Sequence, residues 1–269
     1  MEDFLDLKGR IILVTGGGGT GVGAGVCNVL SRLGATVILN ELDLAKAQKA
    51  AKQYPGAIPV AADISKSEEI IRMFEQVERE VGLISDLVNN AGVGLCKVAH
   101  EANEEQFQQL YDIDVKGVWL VSKTFTRRLI AKGKSGNIVN VSSIHAHSTW
   151  SRYAIYASAK AAVEGLTRGM AMELGPKGIR VNAIGPGYVP AEQNYGLIRT
   201  WTDDPEKWEK EFIKDQQAVN YGIQPDDCGN AAAFLLSDLS RAITGQTLYV
   251  DGGLTSLGIN RSSTEKIDT

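Results

Sequence analysis

The run IILVTGGGGTGVG, from Ile11 to Gly23, constrains this chain more than any other stretch. Its four leading apolar residues read as a buried strand, and the stretch from residue 22 reads as a helix, so glycines fill the turn between them. Glycine lets a backbone turn tightly and approach a pyrophosphate closely, and the N–H groups that open a helix face its charge. A glycine turn in this context points to a parallel α/β architecture that binds a dinucleotide. The next apolar run ends in Asn40-Glu41, about twenty residues beyond Gly21, where an acidic side chain accepts bonds from an adenosine ribose and repels a 2′-phosphate. No arginine or lysine is expected in the loop or beside Glu41, so NAD is expected over NADP. Asp63 is expected either to meet the adenine amino group or to cap a helix beginning at Ser65.

The rest of the chain keeps the same rhythm. Short apolar runs at 11–14, 36–39, 57–61, 83–88, 137–141, 179–184 and 247–250 predict seven strands, buried on both faces. Helical patterns lie between them near 22–33, 43–53, 66–81, 102–131, 155–174 and 226–236. Strands separated by helices require crossovers, which predicts an α/β, doubly wound, mostly parallel seven-stranded sheet with helices on both faces. Ligands of such sheets gather at the carboxyl ends of the strands. A polar and aromatic insertion at about 190–223, with Tyr195, Trp201, Trp208 and Phe212, predicts a helical flap over the sheet edge. Within it, Asp204 before Pro205 marks a helix start. The residues from 254 to 269 read as a polar tail of one catalytic domain spanning 1–269.

Composition narrows the function classes. Apolar residues make up 43% and charged residues 22%, which suits a soluble globular chain. A formal net charge of −4 argues against a nucleic-acid partner. The sequence carries no apolar run of the roughly 18 residues that a membrane span needs, and no secretion signal opens it. The three cysteines, Cys27, Cys96 and Cys228, have no metal-ligand spacing and fit reduced cytoplasmic thiols.

A second signal runs from Ser143 through Tyr156 to Lys160. A tyrosine and a lysine four apart share a helix face, and an ammonium beside a phenol favours the phenolate. That pair could exchange a proton with a substrate near neutral pH. GNIVNVSS, from Gly136 to Ser143, reads as a strand that delivers a serine hydroxyl near the same point.

TGGGGTGVG (15–23), NNAG (89–92), SS (142–143), YASAK (156–160), GPG (185–187) and TGQTLYVDGG (244–253) occur in this order. Over residues 7 to 253 the chain resembles the short-chain dehydrogenase/reductase family. The resemblance implies a Rossmann fold, nicotinamide chemistry and tetrameric assembly. Under it Tyr156 is the acid/base, Lys160 holds the nicotinamide ribose and supports the phenolate, and Ser143 bonds to the reacting oxygen. The implied cofactor contacts are Gly17, Thr20, Gly21, Val22, Glu41, Asp63, Ile64, Asn90, Ala91, Gly92, Tyr156, Lys160, Pro186, Gly187 and Val189. The chain departs from the family pattern in four places. One extra glycine makes the loop bulge. Asp114 replaces the asparagine that helps hold a water chain to the lysine. Ser158, and not residue 159, carries the hydroxyl in YASAK. Ala191 stands where a threonine often holds the carboxamide.

The pocket is expected from 93–98, 144–153, 187–193 and the flap. The loop IHAHSTW sets His145, His147 and Trp150 near Ser143, and Tyr188 is expected to join them in binding substrate. Such donors beside an aromatic wall suit a hydroxylated substrate. No metal is expected, since two loop histidines without a third ligand are too few. SSIH followed by Trp150 resembles bacterial glucose 1-dehydrogenases of the family. The expected reaction is hydride transfer between NAD and a secondary alcohol or hemiacetal of a sugar, polyol or sugar acid. The alternatives are reduction of a 3-oxoacyl thioester or small ketone, steroid oxidation, and a non-catalytic nucleotide-binding protein. The intact Ser143, Tyr156 and Lys160 argue against the last. An acyl-carrier-protein substrate would want a basic entrance, for which Arg127, Arg128 and Lys132 to Lys134 are the candidates. The family's pairing of helices 102–131 and 155–174, with its last strand at a second two-fold axis, implies a homotetramer.

Overall fold

A computed structural model describes residues 5–258. Its strands are β1 (Ile11–Thr15), β2 (Thr36–Glu41), β3 (Ile58–Ala61), β4 (Asp86–Asn89), β5 (Gly136–Val141), β6 (Ile179–Pro186) and β7 (Thr247–Val250). They form one sheet in the order β3-β2-β1-β4-β5-β6-β7, and every pairing is parallel, so the mostly parallel sheet expected is wholly so. The order reverses between β1 and β4, which opens a crevice at the carboxyl ends of the strands. The fourth strand starts at Asp86, later than the apolar run at 83–88 suggested.

Alternation along β1 shows how both faces are buried. Ile12 and Val14 face one layer with Val26 and Leu30 of α1 (Val22–Arg32), Ala47 of α2 (Leu44–Ala51) and Ala232 of α9 (Pro225–Leu236). Leu13 faces the other layer with Phe74 of α3 (Ser67–Glu80), Phe125 of α5 (Val118–Ala131) and Ala171 of α6 (Ala154–Leu174). Burial on both faces fails at the two edge strands, where Ala61 of β3 is exposed and Leu248 of β7 is 40% exposed. An edge strand has no neighbour beyond it to complete its cover.

The long helix expected at 102–131 is interrupted. α4 (Glu104–Tyr111), opened by an Asn103–Gln106 capping box, runs into a π-helical segment, Asp112–Gly117, and then into α5. The wider π turn places one extra residue in the helix and turns Asp114 fully inward. The flap comprises α7 (Glu192–Ile198) and α8 (Pro205–Gln216), the latter capped by the Asp204 carboxylate with Pro205 in its first turn. Phe212 anchors α8 against Ile144 and Leu254, with Trp208, Tyr188 and Tyr249 around it. The aromatic residues form a packed ladder, with Trp208 stacked on Phe212 at 5.1 Å and Trp201 5.8 Å from Trp208. Of the polar tail, Leu254–Ser256 form a short 3-10 turn, and the part beyond residue 258 lies outside the described residues.

Candidate active site

The glycine loop is built from the residues around it. Gly16 and Gly17 both donate their N–H to the Asn40 carbonyl, and Gly18 donates to Glu41 Oε1 at 2.8 Å. A Cβ on Gly18 would stand 2.6 Å from Glu41 Cγ, and Gly16 adopts φ +67° against Ala91, so both positions need glycine. The bulge peaks at the exposed Gly19 and Thr20. Asn90, just beyond β4, clamps the loop, its amide donating to the Thr15 and Gly16 carbonyls at 3.0 and 2.9 Å. Thr15 Oγ1 returns the tie by accepting the N–H groups of Asn90 and Ala91. Helix α1 starts after Gly21 with no side-chain cap. In its first turn the Ala24 N–H returns to the Gly21 carbonyl at 3.0 Å.

Two expectations at this end need correction. Glu41 does have a basic neighbour: Lys46, in the first turn of α2, lies 3.0 Å from Glu41 Oε2. Asp63 is engaged locally. Its Oδ1 accepts the Ser65 N–H and hydroxyl at 2.9 and 2.7 Å, and Lys66 sits 3.3 Å from Oδ2. These bonds hold its carboxyl below the usual range, against the burial that would raise it. The helix after it begins at Ser67, so Asp63 closes the turn ahead of the helix without capping it. Ile64 is buried nearby, against the π segment, where a Cβ on Gly117 would stand 2.9 Å from its Cδ1.

The second group gathers at the ends of β5 and β4. Ser143, just after β5, is buried, and its Oγ accepts the His145 N–H at 3.3 Å, leaving its own O–H as donor. Tyr156 and Lys160 share one face of α6, with Lys160 Nζ 5.5 Å from the Tyr156 ring centre. Nζ donates to the Val141 carbonyl at 3.3 Å and lies 3.0 Å from Asp114 Oδ2. That second approach is short but oblique, so Oδ2 gains charge neutralisation without a well-aligned hydrogen bond. Asp114 Oδ1 accepts the Val93 N–H at 2.8 Å, and a Cβ on Gly92 would stand 2.8 Å from Oδ2. Burial alone would push the Lys160 ammonium down. Tyr156 and then Asp114 oppose that effect and hold it above the ordinary lysine range.

The pocket loop divides its residues. His145 is buried, stacks on Tyr153 at 4.5 Å, and meets Trp150 and Tyr156 edge-on at 5.2 and 5.6 Å. Its Nδ1 pairs with Thr149 Oγ1 at 2.9 Å, and burial pushes its pKa down to about 4, so the ring is neutral at ordinary pH. Trp150 bridges to the flap through Phe212 at 5.5 Å. His147 is exposed and lies 5.9 Å from the Tyr249 ring, at the rim. Tyr188 and Tyr195 both donate to Glu209 Oε2, at 3.5 and 2.6 Å, which commits the Tyr188 hydroxyl to the flap. Burial, followed by that carboxylate, raises the Tyr188 phenol well above its usual range.

Beside the glycine turn, Gly187 follows Pro186 at the end of β6 and donates to the Val250 carbonyl at 3.0 Å. The buried Val189 has its carbonyl taken by the Asn194 amide at 2.8 Å. Where Ala191 supplies no cap to α7, Thr20 does so from the glycine loop, its Oγ1 accepting the Glu192 N–H at 3.0 Å. The flap and the glycine loop are thus tied at the point where the extra glycine pushes the loop out. Ser158, displaced by one position in YASAK, bonds to Tyr111 at 2.9 Å, away from Ser143.

Sequence reasoning missed Thr15, Lys46, Tyr153 and a buried polar chain below the site. Asn89 donates to Ser122 and Asn140, and Asn140 donates to Thr167, all within 2.8–2.9 Å. Asn140 inside one apolar strand run and Asn89 directly after another were the available signal, because a buried amide must find partners. The basic run after residue 126 is partly spent, since Arg128 and Lys132 lie 3.2 and 3.8 Å from Glu78 of α3. Among the described residues no group of three or more His, Cys, Asp or Glu side chains could hold a metal ion, and no helix is long and apolar enough to cross a membrane.

Residues 17–255 match the family described as Enoyl-(Acyl carrier protein) reductase. The chain is 36% identical to human L-xylulose reductase over 253 residues, covering 94% of this chain and 98% of that one. It is 32% identical to the 5-keto-D-gluconate 5-reductase of Escherichia coli K12 over 258 residues, with the same coverage. A solved gluconate 5-dehydrogenase from Burkholderia cenocepacia J2315, in complex with NADP and tartrate, superposes with a TM-score of 0.85. It shares 31% identity over 94% of this chain and 98% of its own.

Proposed function

Because the chain belongs to the short-chain dehydrogenase/reductase family, we propose that it is an NAD-dependent oxidoreductase of a sugar, polyol or sugar acid. The observation that supports this reading is Lys160 Nζ 5.5 Å from the Tyr156 ring, with His145 edge-on to that ring at 5.6 Å while its N–H bonds to Ser143 Oγ. Relatives named for L-xylulose and 5-keto-D-gluconate support the substrate class.

A dinucleotide suits the residues present. The uncapped start of α1 offers N–H donors to a pyrophosphate, and the loop glycines leave room for it. When bound, the nicotinamide accepts or delivers the hydride. The protein's own part is to orient the substrate and move one proton. Ser143 Oγ donates to the reacting oxygen. In oxidation Tyr156 Oη takes the alcohol proton, and in reduction it returns that proton to the carbonyl oxygen. Lys160 Nζ steadies the phenolate by charge. His145, neutral and with Nδ1 spent on Thr149, has only Nε2 to read a substrate hydroxyl. Initial rates over a panel of sugars, polyols, hydroxy acids and ketones with both nicotinamides test the proposal. Activity confined to small apolar ketones or thioesters would replace the substrate class.

NAD preference belongs to the same proposal, although a relative binds NADP. Glu41, at the end of β2 with one oxygen on Gly18 and the other beside Lys46, is the acidic group proposed to meet the ribose, and Lys46 partly offsets its charge. Glu41→Ser should narrow the preference by relieving repulsion of the 2′-phosphate and freeing Lys46 to meet it. Fluorescence titrations of both cofactors would check this, and tighter binding of NADP than NAD by the unaltered enzyme would defeat it.

His145→Ala should lower kcat/KM on the best polyol about five- to a hundredfold by leaving a substrate hydroxyl unpaired. NAD affinity should be spared. An equal loss on a small ketone would mean that the ring only braces Tyr153 and Trp150. Homotetrameric assembly is also proposed, on the exposed Trp119 of α5 and Met172 of α6. A cytoplasmic location is also proposed, supported by the three free cysteines.

A further inference from the structure

Building on that reading, we propose that the Asp114 carboxylate sets the pH at which Tyr156 works. It does so by cancelling the charge of Lys160, so the Tyr156–Lys160 pair gives up its first proton at higher pH than it would beside a neutral amide.

The geometry supplies each part. Asp114 is fully buried, its Oδ1 accepts the Val93 N–H at 2.8 Å, and the Lys160 ammonium lies 3.0 Å from its Oδ2. That environment suits an ionised carboxylate. The same ammonium faces the Tyr156 ring at 5.5 Å. One positive charge is therefore shared between a carboxylate and the phenol of the reaction. With an asparagine at this position, as the resembled family usually has, the whole of that charge would act on the phenol. Here the Asp114–Lys160 pair is close to neutral before the phenol ionises. Like charge disfavours a second anion nearby, so the first proton leaves later as pH rises.

The other groups around the pair do not take over this role. From α6, Glu164 has Oε1 tied to the Ser142 and Tyr249 hydroxyls at 3.1 and 3.0 Å and Oε2 4.0 Å from Arg168. Tyr153, on the loop leading into α6, is raised by burial first and then by the Cys96 thiol. His145, after β5, is neutral. From β5 comes only the Val141 carbonyl, and Lys116 on the π segment is paired with Asp112 at 3.0 Å. The π turn is what brings the carboxylate inward, and Gly92 leaves the space it fills.

Asp114→Asn keeps the side-chain shape and can still accept from Val93, and Asp114→Ser is a second neutral replacement to measure alongside. The pH midpoint of the acid limb for alcohol oxidation should fall by about one unit in either variant. A second readout needs no cofactor. Tyrosinate absorbance is titrated in each protein and in its Tyr156→Phe counterpart, and the difference isolates Tyr156. Its midpoint should fall in the same direction. Midpoints that stay put or rise in both readouts would overturn the proposal, however much the rate changes, because a merely bracing residue scales the rate without moving the midpoint. If the unaltered enzyme oxidises no alcohol, the functional reading fails, while the absorbance titration still decides the role of Asp114.

Discussion

Tyr156→Phe is expected to reduce turnover at least about a hundredfold in either direction, since it removes the group that exchanges the proton. The substitution deletes one oxygen and keeps the ring. The edge-on contacts of that ring with His145 at 5.6 Å and Tyr153 at 6.2 Å should survive, and with them the shape of the pocket wall. Cofactor affinity should therefore change little. Lys160→Ala should behave differently, weakening cofactor binding as well as turnover, because in the proposed mechanism one ammonium serves the ribose and the phenolate. Initial rates together with cofactor titrations separate the two patterns. Turnover close to that of the unaltered enzyme in Tyr156→Phe would mean that another group moves the proton.

What could be read from the sequence depended on whether the signal was local. Strand runs such as IILV and TVIL and the Asp204-Pro205 helix start are local, and each sits in the fold where its pattern put it. The family shown by the comparisons was legible for the same reason, through motifs that are short and ordered. Contacts between elements were not legible. Lys46 is five residues from Glu41, but nothing in the spacing shows that the first turn of α2 folds back onto the end of β2. The π segment was hidden because residues 102–131 keep an apolar pattern compatible with one helix, and a single inserted residue barely disturbs that period. The aromatic loop was legible in composition but not in role. His145 and His147 look alike two residues apart, yet a tight 3-10 turn at Ile144–Ala146 buries the first and exposes the second.

The buried ion pair that the π segment creates should also dominate the stability of the site. Asp114→Ala removes the carboxylate from a lysine whose side chain is only 6% exposed. The ammonium would keep the Val141 carbonyl as a partner, and the Val93 N–H would lose its acceptor. Leaving a buried charge uncompensated costs about 3–5 kcal/mol, whereas the intact pair contributes far less than that on balance. Asp114→Asn should lose less, because its amide oxygen still accepts a bond. The pH dependence distinguishes this cause from a simple packing loss. In the unaltered protein the Lys160 pKa is raised above its unfolded value. Its stabilising effect is therefore fully present below the ordinary lysine range and is lost only as pH climbs through the raised value. In Asp114→Ala only Tyr156 is left to oppose burial, so the lysine loses its proton at lower pH than in the unaltered protein and is relieved as pH rises. The stability gap between the two proteins should then be widest near neutrality and shrink toward about pH 10. Urea melts of both proteins at the two ends of that range would show it. A gap below about 1 kcal/mol near neutrality, or one that ignores pH, would mean that Lys160 does not depend on Asp114 for its charge.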